Sequence, residues 1–332
     1  MFKKNNLSNA TVVVTGASSG IGHGTAVAFA KEGANLVLAA RNEATLEVVA
    51  DECKKFGVQV LVVQTDVTDS EQVAQLAKKA ASAFNNRIDV WINDPGVGAV
   101  GVYEEVPAES HAQVIATNLL GYMNGTHAAL PYMKKQNSGT IINMNSLGAF
   151  IPSPYAASYT ASKFGLRGFS EAIKAEIRNF PNIHMCDVYA SFVGSPGMQH
   201  GANYTGVEMK PVPPYVSAHR VADEIVSVAK HPSSTHMVGM TATLARIFGP
   251  HATGLISSVM AKAMEKHFET GTPTAITDGN LFKPSSKKTS TIEGRYGAKV
   301  SILNTAMTVG GFLLLGSVMN KMLAPKKELS KV

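Results

Sequence analysis

From about residue 10 to residue 190, short runs rich in β-branched and apolar residues alternate with stretches whose apolar positions recur at helical spacing. The runs Thr11–Val14, Asn35–Ala40, Val58–Val63 and Thr140–Asn145 read as strands, and a sixth strand ends near Ala190. The stretches Thr25–Glu32, Val114–Tyr122 and Tyr159–Ala172 read as helices. Such alternation predicts one α/β domain of about 250 residues followed by an extension. No internal repeat interrupts the pattern. Leu255 to Phe268 is again apolar at helical spacing, as expected of a packing helix or of one that covers a cleft or meets a membrane.

Two clusters of residues add chemistry to this frame. The first strand runs into Gly16-Ala-Ser18-Ser19-Gly20-Ile21-Gly22. Glycines there serve a tight turn out of the strand, a close approach of backbone N–H groups to a pyrophosphate, and helix–sheet packing. The following helix would present free N–H groups and a favourable dipole to the anion. The spacing G-x-x-x-G-x-G is not the G-x-G-x-x-G fingerprint, so the flanking strand and helix carry the dinucleotide reading. The second strand ends in Ala39-Ala40-Arg41, with no acid to meet ribose hydroxyls. A guanidinium there suits a 2′-phosphate and favours NADP(H) over NAD(H), the alternative being a solvated loop arginine. Asp66-Val67, after the third strand, is placed to meet the adenine edge or to close an Asx turn.

In the second cluster, Tyr159 and Lys163 are four apart and Ser146 precedes the tyrosine by thirteen. A phenol with a pKa of about 10 is a poor acid–base group at neutral pH, and an ammonium on the same helix face lowers that value. Ser146, at the end of its strand, would donate to a carbonyl oxygen and hold it for protonation by Tyr159. Asn118 would hold a water that relays protons to Lys163. Tyr155 has Tyr159 rather than a lysine four residues on, which singles out Tyr159. No histidines show metal-ligand spacing, and Cys53 and Cys186 read as packing residues.

With these residues the chain resembles the short-chain dehydrogenase/reductase family. The matching positions are Thr15-Gly16-x-x-x-Gly20-Ile21-Gly22, Asp66-Val67, Asn93-x-x-Gly96, Asn118, Ser146 and Tyr159-x-x-x-Lys163, within about residues 8–245. Runs such as Gly121–Gly125 and His200–Tyr204 look bacterial. The resemblance implies a single doubly wound, Rossmann-type parallel sheet with helices on both faces. It also implies hydride transfer between NADP(H) and a carbonyl/alcohol pair, and a homo-oligomer. Asn118, Ser146, Tyr159 and Lys163 would be catalytic. Gly16, Ser18, Ser19, Gly20, Ile21, Gly22, Arg41, Asp66, Val67, Asn93, Val193 and Ser195 would join Tyr159 and Lys163 in holding the cofactor. The chain departs from the family at two places. Asp94-Pro95 stands where Asn-Ala is usual, which adds a negative charge near the adenosine and removes a backbone donor. Ala190-Ser191 stands where Pro-Gly is usual, which places a Cβ near the cofactor.

Charge separates body from tail. Residues 1–278 carry 21 basic and 22 acidic side chains, and residues 279–332 carry 9 and 2, so the tail holds the whole excess of +6. A near-neutral body argues against nucleic-acid binding. Two cysteines suit a reducing compartment, and no apolar signal segment opens the chain. The pattern divides the chain into a catalytic domain (1–271), a Pro/Gly/Ser/Thr/Lys-rich linker (272–297) and an apolar helix with a basic tail (298–332). The run 300–319 is 20 residues without a charge, flanked by lysines, and is long enough to span a bilayer core. It is expected to anchor the body at a cytoplasmic membrane face, the alternative being a helix docked on protein. Leu147, Phe150, Ile151, Tyr155 and Met198 are the candidate lining of a pocket for a lipophilic carbonyl or alcohol, or ordinary packing residues. The competing functions are a catalytically weak nucleotide sensor and a membrane-associated scaffold.

Overall fold

The computed structural model describes residues 6–210, 215–285 and 289–295. In chain order its elements begin β1 (Thr11–Thr15), α1 (Gly20–Lys31), β2 (Asn35–Ala40), α2 (Glu43–Lys54), β3 (Val60–Gln64), α3 (Ser70–Ala83), β4 (Val90–Asn93) and β5 (Ala99–Val100). Then come α4 (Ala108–Ile115), a π turn (Ala116–Leu120), α5 (Gly121–Gln136), β6 (Gly139–Ser146) and α6 (Ala157–Glu176). The remainder are β7 (Ile183–Ala190), α7 (Gly197–His200), β8 (Ala202–Asn203), α8 (Ala218–Lys230), β9 (Thr235–Val238) and α9 (Met240–Thr270).

Seven strands form a sheet in the order β3-β2-β1-β4-β6-β7-β9, and every pairing is parallel. Parallel strands need crossovers, and the crossover helices cover both faces. The uninterrupted valines of β1 follow from this: Val12 and Val14 pack with α1, α2 and α8, while Val13 packs with α3 and α5 on the opposite face. The doubly wound sheet expected from sequence is therefore present. Side-chain caps start the crossover helices where the apolar pattern begins. Asn42 Oδ1 accepts from the Thr45 amide at the start of α2, and Asp69 accepts from Glu71 and Gln72 at the start of α3.

Boundaries moved where glycine or a helix irregularity hid them. α1 begins at Gly20, five residues before the expected start, so Gly20-Ile21-Gly22 forms its first turn. The helix expected at Val114–Tyr122 belongs to the α4–π turn–α5 series. The helix expected from Leu255 is the second limb of α9, beyond the kink where Ala252 leaves helical φ/ψ, two residues after Pro250, which has no N–H to give.

Of the expected linker 272–297, the described residues 272–285 and 289–295 lie on the body. Pro273 and Thr277 bridge to Val207 and Asn203, and Leu281 is fully buried. The residues beyond 295, including the uncharged run 300–319, lie outside the described residues. Among the described residues no helix is long and apolar enough to cross a membrane.

Candidate active site

A sheet with all strands parallel delivers every strand C-terminus to one edge, and the predicted residues meet there. Gly16 turns the chain out of β1 at φ +76°, and an added Cβ would lie 2.5 Å from the Asp94 carbonyl oxygen. A Cβ at Gly22 would strike the Gly16 carbonyl. These two positions exclude any side chain, and the α1 N-terminus can therefore close on the loop. Ser18, Ser19 and Ile21 are partly exposed on the same rim. A cradle of this shape fits the pyrophosphate of a dinucleotide.

Around the rim, the other expected cofactor residues divide into two groups. Arg41, Asp66 and Ser195 are partly exposed there. Arg41 donates to the Leu281 carbonyl at 3.1 Å and to the Asn280 carbonyl at 2.5 Å. Asp66 Oδ1 accepts from the Thr68 amide and hydroxyl, closing the Asx turn weighed as its alternative. Val67 is buried and its carbonyl accepts from Asn124. Val193 forms an isolated bridge with Val216, and Ser195 lies against Gly20. Asn93 is different. It is 1 % exposed, accepts from Trp91 Nε1 at 2.8 Å and donates to Asn143 Oδ1 at 2.9 Å. Its side chain is a strut between β4 and β6 and does not reach the groove.

The second cluster assembles where β6 meets α6. Lys163 is buried, and its Nζ donates to the Met144 carbonyl at 3.1 Å. That nitrogen is 5.9 Å from the centre of the Tyr159 ring and 5.0 Å from that of Tyr122. Burial pushes the Tyr159 phenol up, and a hydrogen bond from Ser146 pulls it down. The depression expected from Lys163 is not among the causes of the shift: desolvation is opposed by the Ser146 hydrogen bond. Burial lowers Lys163 to about 8, with Asp94 opposing the shift. Burial raises Asp94 to about 8 against the pull of Lys163 and of the Gly22 amide. The family-atypical Asp94 thereby belongs to the electrostatics of the lysine.

Asn118 sits in the π turn, a helix irregularity that recurs at functional sites. Its side chain accepts from the Val97 amide at 2.9 Å and donates to the Val97 carbonyl at 2.8 Å. The side chain expected to hold a relay water is instead committed to the loop after β4. Ser191 also differs from expectation. Its Oγ accepts from the Ala242 amide at 3.0 Å, so the hydroxyl caps α9 and is turned from the groove. Leu147, Phe150 and Ile151 are buried with Ala242, Ala245 and Ile256 of α9, which decides for packing over pocket lining. Tyr155 donates to Glu265 at 3.0 Å, and Met198 is 40 % exposed.

Sequence reading missed a buried polar chain beneath the site. From Asn93 it passes to Asn143, whose Nδ2 donates to Ser170 Oγ at 3.0 Å. Ser170 then donates to Asp187 Oδ1 at 2.6 Å, and Lys174 Nζ reaches Asp187 Oδ2 at 2.7 Å. The available signal was a polar residue in mid-strand: Asn143 in β6 and Asp187 in β7. Among the described residues no group of His, Cys, Asp and Glu could hold a metal ion. Cys53 and Cys186 are buried free thiols, each pushed up to about 12 by burial.

Comparison with known proteins agrees with this geometry. A family model described as short chain dehydrogenase matches residues 10–203. The uncharacterized oxidoreductase YxnA of Bacillus subtilis is 31% identical over 272 residues, covering 79% of this chain and 74% of that protein. The 11-beta-hydroxysteroid dehydrogenase A of Sesamum indicum is 35% identical over 186 residues, 55% of this chain and 52% of its own. An alcohol dehydrogenase from the archaeon Thermococcus sibiricus, solved with 5-hydroxy-NADP, superposes with a TM-score of 0.61 at 26% identity, covering 70% of this chain and 95% of that one. By the family match, the YxnA likeness and the parallel sheet that carries the glycine loop, the chain belongs to the short chain dehydrogenase family of oxidoreductases.

Proposed function

We propose that the protein interconverts an apolar ketone or aldehyde and its alcohol with NADP(H), using Tyr159 as the acid–base group. The observation that carries this reading is the convergence of Ser146, Tyr159 and Lys163 at the strand edge that also holds the glycine loop. A nicotinamide cofactor would supply or accept the hydride. The chain's own residues would handle the proton and the oxygen. Ser146 donates to the carbonyl oxygen and fixes it, and Tyr159 delivers the proton. The nearby Lys163 ammonium favours the phenolate that remains. The absence of an acid at Ala39 and Ala40 and the presence of Arg41 support the phosphorylated dinucleotide.

In the same reading, the uncharged run 300–319 holds the body at a cytoplasmic membrane face. Full-length protein would then sediment with membranes and resist a high-salt wash, whereas extraction by salt alone would count against insertion. The catalytic reading is tested with Tyr159→Phe. NADPH binding, followed by nucleotide fluorescence, should stay within about twofold, while turnover on a panel of lipophilic carbonyls falls on the order of a hundredfold or more. Near-normal turnover in that variant would remove Tyr159 from the mechanism.

A further inference from the structure

The groups assigned above to a dinucleotide already have partners within the chain. The Gly20 amide, in the first turn of α1, donates to the Thr291 carbonyl at 2.8 Å. Beside it, Ser290 donates to the Ser18 carbonyl at 2.8 Å. Arg41 is held by the Asn280 and Leu281 carbonyls. At the far end of the groove the Gly294 amide donates to the Gly194 carbonyl at 2.7 Å, next to Ser195. Carbonyl oxygens of the segment thus stand on two donors that phosphate oxygens would require, the Gly20 amide and the Arg41 guanidinium, while Ser290 and Gly294 donate to body carbonyls beside them. A backbone amide has one proton to donate, and the two terminal nitrogens of Arg41 each already give one of theirs to a carbonyl.

The segment is fitted to the body. Leu281 is fully buried in an apolar cluster with Val97, Ala99 and Val114, and Tyr159 packs against that cluster. Gly279 takes φ +54°, and an added Cβ there would strike the His200 carbonyl. A Cβ at Gly294 would lie 2.6 Å from the Ser195 carbonyl oxygen. These two glycines let the segment lie flat where any side chain would lift it. Two of its polar atoms, Asn280 Oδ1 and Glu293 Oε2, are buried without a partner among the described residues. Lifting the segment returns both to water, which keeps the closed state from being bottomless in energy.

We propose that residues 278–285 and 289–295 are an autoinhibitory strap that competes with the dinucleotide for one groove, so that cofactor loads only when the strap is displaced. This rests on the cofactor reading above. A strap closed nine-tenths of the time lowers the apparent affinity about tenfold.

Two measurements on the full chain test it. The first is hydrogen exchange with and without saturating NADPH, where peptides within 278–295 should exchange faster in the loaded protein. The second is NADPH affinity, by fluorescence titration, of Leu281→Asp and, separately, Gly294→Val. Each removes a different anchor, and each should bind about tenfold more tightly. Slower or unchanged exchange of the strap in the loaded protein, or weaker binding by both variants, would make the segment a wall of the cofactor site and overturn the proposal. Failure of the full chain and both variants to bind any nicotinamide dinucleotide would instead overturn the cofactor reading, and the strap proposal with it.

Discussion

At the scale of single residues, Asp94 joins a departure from the family pattern to the electrostatics of Lys163. A carboxyl raised to about 8 is neutral below that pH and negative above it. It lies against Gly16 and the Gly22 amide, where a pyrophosphate would approach. The sign follows: NADPH binding should weaken as pH rises through about 8, because the new charge repels the phosphates. Asp94→Asn should remove most of that alkaline loss while changing affinity little near pH 7. Lys163 titrates in the same window, so a loss that persists unchanged in the variant would belong to the lysine. Arg41 makes a second case. Arg41→Ala removes two contacts to the strap and, on the proposed cofactor reading, would also remove a charge-assisted bond to a 2′-phosphate, about 1.5–3 kcal/mol. The informative quantity is the ratio of NADPH to NADH affinity, which should drop at least tenfold. An unchanged ratio would mean that Arg41 only holds the strap. The shared position of Tyr159, Lys163 and Ser146 was legible in the sequence because it depends on helix spacing and on the end of one strand. The roles of Asn93, Asn118 and Ser191 were not, since each is set by a partner 50, 21 or 51 residues away.

At the scale of elements, two helices hold the site in place by different means. α6 carries Tyr159 and Lys163 and is tied to β7 by Lys174 and the fully buried Asp187. Lys174→Met would strand that carboxylate. Such losses cost about 3–5 kcal/mol, readable by urea unfolding, and Lys174→Met with Asp187→Leu should recover much of it. No recovery in the double variant would place the effect in packing. α9 depends on the remote cap. Ser191→Ala leaves the Ala242 amide buried without its acceptor, a loss of about 1–3 kcal/mol in the same measurement. Ser191→Thr should retain most of the stability. A negligible effect of Ser191→Ala would show that water replaces the cap. The strands were legible because burial on both faces favours apolar residues at most positions, with Asn143 and Asp187 as polar exceptions. The start of α1 was not, because Gly20 and Gly22 are poor helix formers and their place in a helix is decided by close packing, Gly22 against Gly16 and Gly20 against Ser195 and Pro196. The course of 272–285 and 289–295 was hidden for a related reason: a segment rich in Gly, Ser and Thr reads as a linker when its few apolar anchors, such as Leu281, are isolated in sequence.

At the scale of the whole molecule, the parallel sheet governs how the protein must be built. Val12 of β1 pairs with Leu36 on one side and with Val90 on the other. Its second neighbour therefore lies 78 residues downstream, and the strand after that, β6, begins only at Gly139. A ribosome extends a chain at roughly 5–20 residues per second, so β1 waits several seconds with one edge unpaired and its valines exposed. Long-range parallel pairing is intrinsically slow, and a waiting edge is a template for association with other chains. Nascent chains stalled between β2 and β4 should be the most aggregation-prone, and most in need of chaperones, of any length. The strap emerges last of the described residues. During synthesis, the groove at the sheet edge is complete before the segment that covers it has left the ribosome.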